Sequence, residues 1–509
     1  MLRRSTVINQ YDFSGGINIR EPAHLIADNQ LFANVSSFDG TKNCYWNGSA
    51  ITKRLGTLKV NSAPTGNKLV NGMRFYRSLT PFKTTICAID DSTYVKHYYL
   101  DGSNVFQIIT KADPQIATGN AISLTSWKNA LYSASGIQKL QKITYSGSWA
   151  IADITTLTSK PAIVYLHKDR LWVAGGDMPY GYLECSAYDD DTKWSESDGE
   201  AFNVGLDDGD PIRTLKSFGD DLVIYKHDSI WVMKGDNLQN WFQGKSVDEI
   251  GCYSPASVVD IGFGHIFLSA DNVYFFNEET LVPIGDNIKP WLDLIPSQYR
   301  KNAAACYSNG FYRLSITSGV YNDHELLFDV NKFKQGGERA WWNNGGRNIS
   351  NYVTYDGPDD DNSVNICDSN AGHLRKIETG NQDDTVDFEM QTHLKYYGFQ
   401  EPNIEKKYDR VKLDVSNNVG VVYATLIKGF SDELSQEYSF DTGTGTSIWG
   451  TGVWGTAMWV SPDKARALLQ IAVPSKFDGT ILSASFRHPT HEEGVKVHGI
   501  SISYAQKNF

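Results

Sequence analysis

Carboxylates are the residues best able to do chemistry in this chain, and they cluster. Asp189-Asp190-Asp191, Asp207-Asp208-Gly209-Asp210 and Asp359-Asp360-Asp361 each gather hard oxygen ligands, the donor type that calcium takes. None has the Asp-x-Asp-x-Asp-Gly spacing with a distal Glu that wraps the ion. Turn chemistry accounts for all three, because an Asp side chain accepts from backbone two residues on. Asp220-Asp221 and Glu278-Glu279 fall at expected strand turns. Nothing in their spacing fixes the two-carboxylate separation that glycoside hydrolysis needs. His491-Glu492-Glu493-Gly494 lacks the second His of a His-Glu-x-x-His zinc helix. No glycine-rich phosphate loop opens a helix, and no Gly-x-Ser-x-Gly elbow occurs. The expectation is a chain with no catalytic residues, no cofactor and no metal.

Aromatic residues point another way. From Gly443 to Trp459 the chain is Gly- and Thr-rich, with Trp449, Trp454 and Trp459 five residues apart. Trp buries large areas and is enriched at interface centres, while Gly lets another backbone approach. A five-residue period fits neither one helix face nor one strand face. These three residues are therefore expected on a hairpin that meets another chain.

The elements that must carry these features read as strands. Aromatics make up 12% of the 509 residues, with 27 Tyr, 23 Phe, 13 Trp and 44 Gly, a composition that fits pleated surfaces punctuated by turns. From about residue 65 to 380 one unit recurs: an apolar strand, a Gly or polar turn, a second strand and a third. Ala256–Ile261, His265–Ser269 and Val273–Phe276 form one copy; Ile212–Lys216, Asp221–Tyr225 and Ser229–Met233 form another. The second residue of the middle strand aligns at Ile86, Leu131, Leu171, Leu222, Ile266, Tyr312 and Val364, 40 to 52 residues apart. A repeat of roughly 40–50 residues holding about four strands is what a propeller blade requires. The marks predict a β-propeller of six to eight blades, seven preferred, over residues 61–385. Helices are expected only as turns within 287–299 and 462–467. After 385 the strands lengthen, and Phe388–Lys395, Val411–Val415, Val421–Ile427, Ala467–Val473, Ser483–Arg487 and Val495–Tyr504 predict a C-terminal β-sandwich over 386–509.

The first 60 residues have too little apolar content to fold alone, and read as an extended arm laid across a larger body. Phe13-Ser14-Gly15-Gly16-Ile17-Asn18 is followed by Pro22, by Asp28-Asn29-Gln30, by Asn34 and by Lys53-Arg54-Leu55-Gly56. In this order the arm resembles the start of tailed-bacteriophage tail proteins, in particular the β-propeller hub or nozzle proteins of short-tailed phages. Arg487 and the Val497–Ile502 ending resemble the same proteins. The resemblance implies a virion structural protein of the tail, assembled in the host cytoplasm. It implies a ring, usually a homohexamer, below the portal and its adaptor. Tail fibres or spikes attach around such rings, the host surface lies at the distal end, and double-stranded DNA passes along the axis. Phe13, Gly15, Gly16 and Asn18 join the three tryptophans as expected subunit contacts.

The bulk properties fit that expectation. The formal charge is −12, against a dedicated nucleic-acid binder but suited to a wall that must not hold passing phosphates. Six scattered cysteines, with no CxxC pair, read as reduced thiols. Met1–Ser5 has no apolar leader, and no window reaches the ~18 apolar residues of a membrane helix. The alternative is a glycan-binding or glycan-cleaving propeller. The Ser-x-Asp-x-Gly-x-Thr-Trp box of sialidase-type blades has only Ser37–Thr41 and Ser197–Gly199 as partial matches, neither with the spacing.

Exposing three tryptophans on one loop would leave an aggregation-prone patch, so either the sandwich core or a partner must cover them, and the five-residue period favours a partner. Replacing Trp449, Trp454 and Trp459 together by Ser is expected to leave the thermal transition of the isolated chain unchanged and to abolish ring formation. A triple variant that fails to fold would place the rings in a core instead.

Overall fold

The computed structural model describes residues 6–507 apart from 36–37, 39, 63–64, 78–81, 112–114, 195–198, 206–207, 238, 318–321, 354–363, 369–371, 399–402, 417–420, 430–433, 442–465 and 490–494. Among the described residues the strands form nine sheets, seven small ones in chain order and two of six strands. Each small sheet is an antiparallel meander that opens with one inner strand. The inner strands are Lys68–Arg77, Ser123–Trp127, Ile163–His167, Ile212–Phe218, Val259–Asp260, Ala304–Ser308 and Ile349–Val353.

Turn chemistry sets the first hairpins. Lys128-Asn129 and Lys168-Asp169 have positive φ at both positions, and so do Asn309-Gly310. Two-residue turns of this hand match the right-handed twist of the strands they join. The aligned middle-strand residues from Ile86 to Tyr312 all lie in the second strands; Val364 falls one residue before Asn365–Asp368.

Successive side chains of these second strands enter different cores, as a period of two demands. Leu131 packs with Phe75 and Ile86 of the first sheet, while Tyr132 packs with Val164 and Leu171 of the third. Leu222 and Ile224 face back to Trp172 and Leu183; Val223 and Tyr225 face forward to Phe267 and Tyr274. In the seventh sheet Ile366 meets Ala304 and Cys306, and Cys367 meets Leu69, Cys87 and Ile89 of the first sheet. Every small sheet is thus covered by its two neighbours, and the last covers the first. That closed arrangement is a β-propeller.

Strand exchange closes the ring as well. The outer strand of the seventh sheet is Thr57–Lys59, paired antiparallel with Leu374–Ile377. A strand from the N-terminal segment therefore completes the sheet made last along the chain.

The remaining N-terminal strands pair with the C-terminal part. Thr6–Gln10 and Ile51–Lys53 pair with Lys496–Gln506, and Gln30–Phe32 pairs with Met390–Leu394. Both six-stranded sheets are built this way, and they share one core that includes Leu31, Ile51, Leu413, Leu426, Phe486 and Ile502. Strands of two to five residues carry no periodicity, which is why the arm reads as irregular in the sequence. Helix is found at Lys289–Leu294, within the expected stretch, and at Ser297–Arg300, which runs one residue past it. The other expected turn differs: Arg466–Ala472 is a strand paired with Lys406–Ser416, and 462–465 lie outside the described residues. A third helix, Val330–Gly336, has no counterpart among the expected turns; Asp329 caps it by accepting from Lys332 N at 3.0 Å, and Gly337 ends it at φ 71°.

Gly56 is held where no side chain fits. A Cβ there would lie 1.8 Å from the Gln382 carbonyl oxygen, because Gly56 N donates to Gly380 O and Thr57 N to Gln382 O. Gly56→Ala is expected to cost about 2–4 kcal/mol by overpacking, measured by urea denaturation. Gly102→Ala, with open space around it, should change stability by less than about 0.5 kcal/mol.

Candidate functional site

Two places in the fold concentrate polar groups: the seam where the arm crosses between the propeller and the six-stranded sheets, and the cavity that the inner strands surround.

The seam begins at the glycine pair. Phe13 is fully buried between the two large sheets, its ring 6.1 Å from that of Trp46 and edge-on. Four residues later Ile17 lies in a propeller core with Trp291, Ile284 and Trp341. Gly16 makes the passage at φ 67°, where a Cβ would sit 2.6 Å from the Trp341 carbonyl oxygen; only glycine tolerates both. Asn18 Nδ2 donates to Gln30 Oε1 at 2.9 Å, and its Oδ1 accepts from Arg20 N at 3.0 Å. Asp28 pairs with Lys395 of the C-terminal part, and Asn34 O accepts from Trp291 Nε1 at 3.2 Å. Phe13, Gly16 and Asn18 are buried in their own chain and Gly15 is half-buried. Within one chain these four residues join the propeller to the six-stranded sheets.

At its other end the arm delivers Arg54 into a buried ionic cluster. All five of its N–H groups find acceptors. Nε donates to Asn43 Oδ1 at 2.8 Å, the two terminal nitrogens grip Asp383 at 3.0 and 2.5 Å, and they also reach Leu55 O and Gly345 O. The Phe388 ring lies 3.6 Å from its Cζ. Arg347 donates to Glu325 at 3.1 Å and to Leu55 O at 3.1 Å. Arg313 donates to Glu325 at 3.4 Å and pairs with Glu378. Glu325, 1% exposed, also accepts from Tyr352 and Asn344. Three guanidiniums thus face three carboxylates. Burial would raise the Glu325 carboxyl, but Arg313 and Arg347 outweigh it and hold it at about 2. Burial, and then Arg347, brings Arg54 down to about 10, so both stay charged at neutral pH.

The cavity encloses about 1530 Å³ and is lined by the inner strands of all seven small sheets. Side chains tie neighbouring inner strands at matching heights. Asn351 donates to Asn71 at 2.8 Å, Asn71 to Ile122 O at 2.7 Å, and Ser123 bonds Val164 at 3.2 Å. Imidazoles do the same between sheets. His97 meets Ser133 at 2.9 Å and His167 meets Ser217 at 2.8 Å. His265 Nε2 donates to Ser217 O at 3.1 Å, so its Nδ1 accepts from Tyr225 at 2.9 Å.

Other sequence candidates have local roles. Asp191 accepts from Tyr132 at 2.9 Å, Asp190 from Thr192 N at 2.9 Å, and Asp210 from Ser229 at 2.7 Å. Asp221 and Glu278 share Lys234, at 2.9 and 3.0 Å. Among the described residues no three His, Cys, Asp or Glu side chains come together as a metal site. Trp449, Trp454 and Trp459, with Asp359–Asp361 and His491–Gly494, lie outside the described residues. The ionic cluster was missed in the sequence, since Arg54 and Asp383 are 329 positions apart. Arg54-Leu55-Gly56 was its one visible trace.

No protein-family profile and no curated protein matches the chain. Among solved structures it is similar to YCF48 bound to D1 peptide, at 12% identity over 67% of this chain and 98% of that one, TM-score 0.40. It is similar to the Pan2 WD40 domain of Neurospora crassa, at 7% identity over 64% and 96%, TM-score 0.39. A computationally designed protein, Ika8, overlaps at 12% identity over 66% and 96%, TM-score 0.36. The propeller assignment follows from the strand pairings, not from these overlaps.

Burial holds His97, His167 and His265 neutral, each lowered to about 4. Their folded values lie below the unfolded value near 6.5. Their contribution is therefore complete above pH 6.5 and lost as pH falls towards 4. The Glu325 contribution is complete above about 4.5 and lost towards 2. Unfolding free energy should fall in two successive steps on acidification, by more than about 1 kcal/mol per imidazole. Urea denaturation from pH 7 to 3 checks this, and His265→Gln should shrink the first step, with His97 and His167 still contributing to it, and leave the second unchanged.

Proposed function

We propose that this chain is a structural subunit of a bacteriophage tail, the hub or nozzle protein of a short-tailed phage. In this reading the seven small sheets are seven blades, and the two large sheets are a C-terminal β-sandwich. Copies assemble as a homohexameric ring below the portal and adaptor. Fibres or spikes bind around it, its distal end faces the host surface, and double-stranded DNA is retained in and then ejected along its axis. The protein is located in the virion tail and is not an enzyme.

The observation that carries this reading is the arm, because the residues on which the resemblance rests join the propeller to the six-stranded sheets. Phe13 and Ile17 anchor two cores, Gly16 passes between them, and Arg54 and Gly56 fasten the far end. A subunit that must keep its place in a ring under the pressure of a packaged genome needs its two bodies to move as one. The strapped seam supplies that. The DNA path belongs to the ring axis between copies, where a net charge of −12 per chain keeps phosphates from adhering.

Mass photometry and electron microscopy of the purified chain, alone and with portal rings, test the reading. Closed rings, or rings that form only on the portal, are expected. A chain that stays monomeric under both conditions and cleaves a capsular glycan would sink it and favour the glycan-directed alternative.

A further inference from the structure

The central cavity is lined by an arginine, Arg213, that has no ion-pair partner among the described residues. Arg213 sits on the inner strand Ile212–Phe218, where the ladder register shifts between Ile212 and Thr214. A bulge re-aims a side chain and is a feature of strand ends beside binding sites. Arg213 is half-buried and lines the cavity, and its Nε–H is buried with no acceptor. Among the described residues no carboxylate pairs with it. A buried donor without a partner is unfavourable, and a bound acceptor would satisfy it.

The surroundings indicate which acceptor. The inner strands begin at one mouth of the cavity. Lys68 opens the first of them, Arg213 is second in the fourth, and Lys301 precedes the sixth. Among the described residues the carboxylates at that mouth are engaged: Asp90 accepts from Thr118 Oγ1 at 2.7 Å and Gly119 N at 2.9 Å, Asp210 from Ser229 Oγ at 2.7 Å and His227 N at 2.8 Å, and Asp177 from Lys160 N at 2.6 Å. Asp260 ends its strand and so stands at the opposite mouth, with Lys216. The cavity lining at this mouth thus carries Lys68, Arg213 and Lys301 beside carboxylates that are already engaged. Tyr180 borders the same mouth with 74% of its surface exposed, an aromatic face with a polar tip. A guanidinium offers two parallel donors to a carboxylate or phosphate. A concave site that combines such a group with an aromatic wall is the form of a small-ligand site.

We propose that this mouth binds an acidic saccharide, with its carboxylate or phosphate on Arg213, Lys68 and Lys301 supplying field, and a sugar face on Tyr180. The anion on the sugar can be either group, because both present the same paired oxygens. The site belongs to a single chain and does not depend on ring assembly.

Calorimetric titration at low salt with a hyaluronan tetrasaccharide, the neutral N-acetylglucosamine tetrasaccharide, glucose 6-phosphate and inorganic phosphate tests it. The carboxylated tetrasaccharide should bind at least about tenfold more tightly than the neutral one. Arg213→Gln should remove that advantage without changing the melting temperature or the assembly state. Tyr180→Ala should weaken both acidic sugars. Glucose 6-phosphate binding as well as the carboxylated sugar supports the proposal with phosphate as the anion. Equal binding of acidic and neutral sugars overturns it, as does an Arg213→Gln variant that binds like the parent. Inorganic phosphate binding as tightly as either acidic sugar, or no binding of any probe, also overturns it.

Discussion

Three buried guanidiniums facing three carboxylates, one of them fully buried and two at the edge of the seam, form the constraint on which this architecture turns. Arg54 comes from the arm, Arg313 and Glu325 from the sixth small sheet, Arg347 from the turn into the seventh, and Glu378 and Asp383 from the segment that leaves the propeller. Arg313 and Glu325 meet within one sheet, but Glu378 and Asp383 are gripped by Arg313 and Arg54 only when the segment leaving the propeller and the arm are both in place. An isolated charge in such a site would cost several kcal/mol, and losing one partner of a buried pair typically costs about 3–5 kcal/mol. The cluster is therefore weak as a source of net stability and strong as a selector. Arrangements in which the arm lies elsewhere leave Asp383 without the guanidinium that grips it.

That selector acts beside a steric one. Gly56 follows Arg54 by two residues and abuts the Gln382 backbone, while Asp383 is the residue Arg54 grips. Backbone contact and ion pair fix the same two segments against each other at adjacent positions. Thr57–Lys59 then continues directly into the seventh sheet. The fastening of the arm and the closing of the propeller are consecutive steps along one short stretch of chain.

The fold was legible where periodicity was long enough to show. Second strands such as Asp221–Lys226 alternate between two cores, and their apolar runs mark the repeat because both faces are buried. The arm was legible only as a pattern of special residues. Its strands are too short for alternation, and the meaning of Gly16 resides in the Trp341 backbone, far along the chain. The ionic cluster left no local pattern, since charged residues in strands look like solvent-facing ones until partners from other sheets are in place. The same holds for Arg213. A bulge is a property of two paired strands, and no single-strand pattern contains it.

These long-range closures have a consequence for how the molecule holds together. The strand Thr6–Gln10 pairs with Lys496–Gln506, so the first and last described strands are neighbours. Thr57–Lys59 pairs across the propeller to Leu374–Ile377. Each pairing closes a loop of several hundred residues, and that closure must be met before its contacts contribute. The small sheets can form locally as meanders, but each needs neighbours on both faces, and the first and seventh lack one until the ring closes. The propeller and the six-stranded sheets are therefore coupled through the arm rather than joined by a linker. Displacing the arm would open the seventh sheet, unpair the ionic cluster and uncover Phe13 and Ile17 in one event. A body built this way yields as a unit or not at all, which is the mechanical property that separates a strapped assembly from two domains in series.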